Sequence, residues 1–269
     1  MTQHLPTRAQ ATRFIGVALG AAALLSLTTV LSRADDGDPR KILKSMSDYM
    51  AGQKTLSATY DADIEVLLTP ELQKIQFTAS GSVLVDRPAG LRATRTGGYA
   101  DVELVFDGKA ATIHNRDGKA FTRIEAPGSL DDLIHRLRAE HMVEVPGADL
   151  LLAKSYDQLT DDVLDARHVG RGVVDGVECE HLAFRTSETD WQLWVEAGER
   201  PIPRKYVITS KTVAQAPQYT LRIRELRTDV RPDPSAFVFK APDGTKQVAL
   251  DAIGDIDEVP PGVSAGGSK

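Results

Sequence analysis

One cysteine in 269 residues, aromatic side chains at only 6%, and no surplus of positive charge define this chain by what it is short of. Cys179 has no partner for an internal disulfide, so the fold must be held by packing even in an oxidising compartment. Lys and Arg number 32 against 38 Asp and Glu, a formal net charge of −6. That sign argues against nucleic acid or an anionic membrane as the main partner. The His-Glu-x-x-His helix, the phosphate loop and the dinucleotide fingerprint are all missing. His135 and His141, six residues apart, do not share a helix face and make no metal pair. Cys179 and His181 share a strand face and raise the question of a nucleophile and base. No Asn or Asp stands at a telling distance, and catalytic pairs converge from separate elements, so Cys179 reads as a small buried hydrophobe. An enzyme is not expected, nor a cofactor or a metal, and the chain reads as a monomer.

Long hydrophobic runs are also scarce, with one exception. Arg8 and Arg13 precede an apolar segment from Phe14 to Leu31 that ends at Ser32-Arg33-Ala34, before Asp35 and Asp36. Small residues at −3 and −1 match a secretory signal cleaved after Ala34; the competing reading is an uncleaved N-terminal membrane anchor. Cleavage removes three arginines and takes the net charge from −6 to −9. Three regions follow: residues 1–34 as signal peptide, 35–254 as a single domain, and 255–269 as a Pro/Gly/Ser-rich flexible tail.

With 42% hydrophobic residues the domain can bury a substantial core. A helix from Pro39 to Ala51 is predicted, with Asp38 as N-cap, Pro39 in the first turn and Gly52 just beyond the end. Ile42, Leu43, Met46, Tyr49 and Met50 line one face, and the two methionines suit either a core or an adaptable lid over an apolar cavity. Alternation then marks two long strands, Leu56 to Leu68 and Ile75 to Val85, around Thr69–Leu72, with Gly81 as a bend. Asp61, Asp63 and Glu65 fall on the polar side and read as solvated. Short strands separated by Asp-Gly turns continue as an antiparallel meander. Ser129 and Asp132 predict a capping box for a helix bearing Leu130, Leu133, Ile134 and Leu137. Strands return from His168 to Thr228, including a hairpin in which Trp191, Leu193 and Val195 share a face. The count is about eleven strands.

Three stretches carry a family resemblance. Gly81, Arg87, Pro88 and Arg92 fit a G-x-x-x-x-x-R-P-x-x-x-R strand and turn. The Trp191–Arg204 hairpin resembles a W-x-D-x-x-x-G-x-P-x-R element, with Glu196 where Asp is usual. Asp233 to Gly244 is similar to a D-x-x-x-F-x-F-x-x-P-x-G close containing Phe237 and Phe239. In this order they resemble an uncharacterised family of predicted periplasmic proteins related to the LolA-like lipoprotein carriers. The resemblance implies a mainly β, α+β fold: a strongly curved antiparallel sheet, an unclosed half-barrel wrapping around or covered by helices. It implies a periplasmic, non-catalytic protein that holds a lipid, acyl chain or lipoprotein on the concave face. The alternative is an envelope-stress sensor, or a structural envelope protein, acting through a protein partner. The expected ligand-binding residues are Met46, Met50, Tyr60, Ile64, Phe77, Val83, Leu104, Phe106, Trp191, Leu193, Tyr219 and Leu221.

Overall fold

The computed structural model describes residues 37–260, apart from 69, 71 and 144, together with 263. The expected signal peptide and most of the expected tail lie outside the described residues.

The chain opens with helix α1 (Pro39–Gly52), where the Asp38 carboxylate accepts from the Arg40 amide and Pro39 fills the first turn, which has no amide bond to lose. Gly52 lies inside the last turn. The cap is Gln53 in extended conformation, so the expected glycine terminus is replaced by one residue more of helix. Two fourteen-residue strands follow, β1 (Thr55–Leu68) and β2 (Gln73–Asp86), paired along their whole length. The meander continues through β3 (Gly90–Gly97), β4 (Asp101–Phe106), β5 (Ala110–Asn115) and β6 (Ala120–Glu125). Its turns are built by side chains: Asp107 accepts from the amides of Lys109 and Ala110, and Asn115 from that of Gly118.

Helix α2 (Leu130–His141) starts with the predicted capping box, Ser129 and Asp132 exchanging hydrogen bonds. The apolar run after it forms a 3₁₀ turn (Ala148–Leu151) and a short α3 (Ser155–Thr160). Five strands complete the main sheet: β7 (Asp165–Val174), β8 (Val177–Arg185), β9 (Thr189–Glu196), β10 (Pro203–Ser210) and β11 (Gln218–Thr228). Asp175 and Gly176 both take positive φ between β7 and β8, the twist that a two-residue hairpin needs. A two-residue strand, β12 (Lys246–Gln247), comes last.

The sheet runs in the order β12-β6-β5-β4-β3-β2-β1-β11-β10-β9-β8-β7 and has two ends, so it is not closed into a barrel. All pairs are antiparallel except that of β12, which joins β6 in parallel. This twelfth strand has no alternation to announce it; it forms because the chain returns along the edge of β6. After β11 the chain first crosses the outer face. Asp233 caps a 3₁₀ turn (Pro234–Phe237), Phe237 packs at Gly90, and the Phe239 ring meets His114 and Phe121 edge-on and tilted. Phe237 and Phe239 therefore cover the outside of the meander. Beneath them Arg92 reaches both the Glu103 carboxylate and the Ala236 carbonyl.

The helices lie on the inner face. α1 packs over β7, β8 and β9 beside α3. Leu43, Met46 and Met50 join one continuous core with Leu182, Phe184, Trp191, Leu193 and Tyr206. The outward carboxylates behave as expected: Asp61 pairs with Arg224 and Glu65 with Lys74, contacts near the surface of small energetic weight.

Candidate functional site

The registers place a row of inward-facing residues straight across the sheet. Ile223 on β11 is opposite Tyr60 on β1, Tyr60 opposite Gly81 on β2, Gly81 opposite Arg95 on β3, Arg95 opposite Val102 on β4, and Val102 opposite Asn115 on β5. Gly81 is bare because the Tyr60 ring occupies the space above it. A Cβ there would lie 2.5 Å from the ring and closer still to the Thr94 carbonyl, to which the Tyr60 hydroxyl donates at 2.9 Å. The expected bend is thus a berth for an aromatic ring.

Beside this row lies a cavity of about 750 Å³, within the size range of small-molecule sites. Its floor is Leu56, Ala58, Val83, Leu91, Ala93, Leu104 and Ile113, small or medium side chains from β1 to β5. Tyr219, Leu221 and Ile223 of β11 form one side, and Leu133, Ile134 and Leu137 of α2 form the roof with Met142, Val143 and the stretch 145–151. Gly147 takes φ +79, and a Cβ on it would lie 2.6 Å from Leu221; this loop can approach β11 only as glycine. The Arg87 guanidinium of the R-P motif donates to the Leu151 carbonyl at 2.5 Å and ties the same loop to the sheet.

The remaining wall is the segment Leu250–Glu258, which turns back over the inner face after β12. Asn115 donates to the Ile253 and Asp255 carbonyls at 3.2 and 3.1 Å, and Arg95 donates to the Ile256 carbonyl. Asp255 to Glu258, assigned from composition to a flexible tail, are held in place by these bonds. Ile253 and Ile256 supply the apolar anchors of this segment.

Six of the twelve expected binding residues line the cavity: Met50, Tyr60, Val83, Leu104, Tyr219 and Leu221. Six do not. Met46, Phe106 and Leu193 are fully buried in the core, Trp191 nearly so, and Trp191 stacks on Phe184 at 4.0 Å. Ile64 and Phe77 face each other across β1 and β2 further along the strands, where Phe77 meets Tyr99. Strand parity told which face each side chain takes; it could not tell whether that face meets another side chain or empty space. Only the C-terminal end of α1 reaches the cavity, so a lid is not its position; α2 and the stretch 145–151 form the cover.

Arg95 was missed, although its signal is in the sequence: Leu91, Ala93 and Arg95 share the inward parity of β3, and a cation on an apolar face is worth asking about. The cavity's ionisable groups respond to their low-dielectric setting. Burial pushes the Tyr60 phenol up to about 12 and raises that of Tyr219 further. Burial also raises the Glu258 carboxyl despite the opposing pull of Arg95.

Elsewhere, the Cys179 thiol is raised by burial and its Sγ lies 3.5 Å from the Val177 carbonyl, while His181 stacks on Trp194 and pairs with Gln192. No group of three or more His, Cys, Asp or Glu able to hold a metal occurs among the described residues. No described helix is long and apolar enough to cross a membrane.

An open antiparallel sheet with an apolar cavity between its inner face and a covering helix defines the class: an unclosed half-barrel. The chain belongs to the family described as predicted periplasmic protein (DUF2092), whose model matches residues 40–251. Similar solved structures include an uncharacterized conserved protein from Thermus thermophilus, at 11% identity and TM-score 0.48, covering 78% of this chain and 97% of that one. A LolA superfamily protein from Nitrosomonas europaea is similar at 12% identity and TM-score 0.34, covering 75% and 97%. The Pseudomonas aeruginosa MucA/MucB complex is similar at 15% identity and TM-score 0.42, covering 76% of this chain and 62% of the matched one. No curated protein sequence matches.

Proposed function

We propose that this chain is a periplasmic, non-catalytic binding protein that holds a hydrophobic ligand between the concave face of its sheet and α2. The observation that carries the reading is the cavity itself: about 750 Å³ with a mainly apolar wall, in a domain whose other half is solidly packed. Close packing is the rule for protein interiors, so a space of this size kept open by Ala58, Ala93 and Val83 is a feature with a use. Ligand pockets combine an apolar wall with a few polar groups, and Tyr60, Arg95 and Glu258 supply such groups here.

The test is binding of N-phenyl-1-naphthylamine, an uncharged reporter that fluoresces in apolar sites, to protein produced from the full chain. Saturable enhancement that Ala93→Trp abolishes supports the reading. An unenhanced reporter, with the protein recovered in a stable complex with another envelope protein, would replace it with the sensor reading. Export is tested separately: N-terminal sequencing should find Asp35 first in the periplasmic fraction, and an intact Met1 in membranes would point to an anchor.

A further inference from the structure

Among the described residues, Arg95 is the only Lys or Arg that lines the cavity. Its side chain is 19% exposed, and its carboxylate partner is Glu258, 9% exposed. The two are poorly matched. Nε of Arg95 is 3.6 Å from Oε1 of Glu258, outside hydrogen-bonding range, and Oε2 of Glu258 is buried with no hydrogen-bond partner. A guanidinium favours two parallel hydrogen bonds to a carboxylate, and here it makes none to that group. Glu258 is moreover a poor guest for the place it occupies, since desolvation and the neighbouring Asp257 both oppose its charge. Its backbone is held there by Asn115 and Arg95, which bond the carbonyls of Ile253, Asp255 and Ile256. The arrangement is an anion site filled by an ill-fitting internal carboxylate, at one end of an apolar cavity.

We propose that Arg95 anchors the carboxylate of a long-chain fatty acid, and that Ile253–Glu258 is a strap holding Glu258 in that place until such a ligand displaces it. This rests on the cavity being the ligand site argued above. The alkyl chain lies along Val83, Ala93 and Leu104, the acid makes the paired hydrogen bonds that Glu258 does not, and the strap is released toward solvent.

The experiment compares hexadecanoate with hexadecan-1-ol as competitors of N-phenyl-1-naphthylamine on the full chain. Hexadecanoate should compete more strongly, and Arg95→Gln should lower the acid-to-alcohol affinity ratio by about tenfold, the size of one charge-assisted interaction. Arg95→Lys should restore part of that ratio. Glu258→Gln should raise it, because the internal competitor for the guanidinium loses its charge. Should Arg95→Gln fail to fold, the Arg95→Lys and Glu258→Gln arms decide alone. Reporter binding with equal affinity for acid and alcohol, unmoved by these changes, overturns the anchor and leaves the cavity reading standing. Absence of reporter binding overturns both.

Discussion

The two halves of this sheet follow one pattern and reach opposite results. On β8, β9 and β10 the inward positions hold Leu182, Phe184, Trp191, Leu193 and Tyr206, and α1 closes over them into a solid core. On β1 to β4 the inward positions hold Ala58, Gly81, Val83, Ala93 and Val102, and α2 closes over a cavity. Alternation, strand direction and helical cover are alike; side-chain volume differs. In a protein with few aromatic residues, placing Phe184, Trp191 and Tyr206 on the inner face of one half leaves the other with less bulk to fill itself. The cavity is thus made by what is withheld from half of the sheet.

Substitutions that exchange the two halves' properties test this contrast. Trp191→Ala should cost about 3–5 kcal/mol by urea denaturation, since the Phe184 and Tyr206 rings that flank the indole cannot collapse into its place. Ala93→Trp puts extra volume in the hollow half, where it should cost less than the roughly 1–3 kcal/mol typical of overfilling a packed core, while abolishing reporter fluorescence. Equal penalties for overfilling at Ala93 and at fully buried Leu193 would remove the contrast. Ser129→Ala breaks the capping box of α2 and should cost about 1 kcal/mol in thermal melts, with weaker reporter binding because α2 is the roof.

The smallest expected effect is on pH. Glu258 has its folded pKa raised above the unfolded value, so its charge opposes the strap most strongly above the folded pKa. That opposition fades as pH falls through the folded pKa and is gone below the unfolded one. Amide exchange at Ile253–Glu258, corrected for its intrinsic pH dependence, should therefore become more protected on mild acidification. Glu258→Gln should abolish the change; a change that persists would assign it to Asp257 or to another group.

Much of the fold was legible because it depends on short-range rules. Alternation fixed the faces of β1 and β2, paired turn residues fixed the β7–β8 hairpin, and Ser129 with Asp132 fixed the start of α2. The site was legible by halves. Tyr60, Val83, Leu104, Tyr219 and Leu221 face inward and meet space, whereas Phe106, Trp191 and Leu193 face inward and meet other side chains, a distinction set by partners distant in sequence. The strap was hidden for the same reason: its hydrogen bonds to Asn115 and Arg95 span 138 to 161 residues. Glu196, which stands where the resembling element usually has Asp, pairs with Arg204 of the following strand.

The unclosed sheet leaves two borders, and each meets solvent differently. At β6 the border is occupied by β12, only two residues long, which offers little ladder for a further strand. At β7 the border is a ten-residue strand, a natural template for polymerisation through main-chain pairing. Its register slips between His168 and Gly170, Gly170 takes φ +125, and Arg167 and Arg171 stand exposed on either side of the slip. A second copy approaching this border would meet an irregular row of donors and acceptors, flanked by the Arg167–Asp165 and Arg171–Glu178 ion pairs. The openness of the sheet is thereby offset, at its longer border, by a break in the ladder that a pairing strand would need.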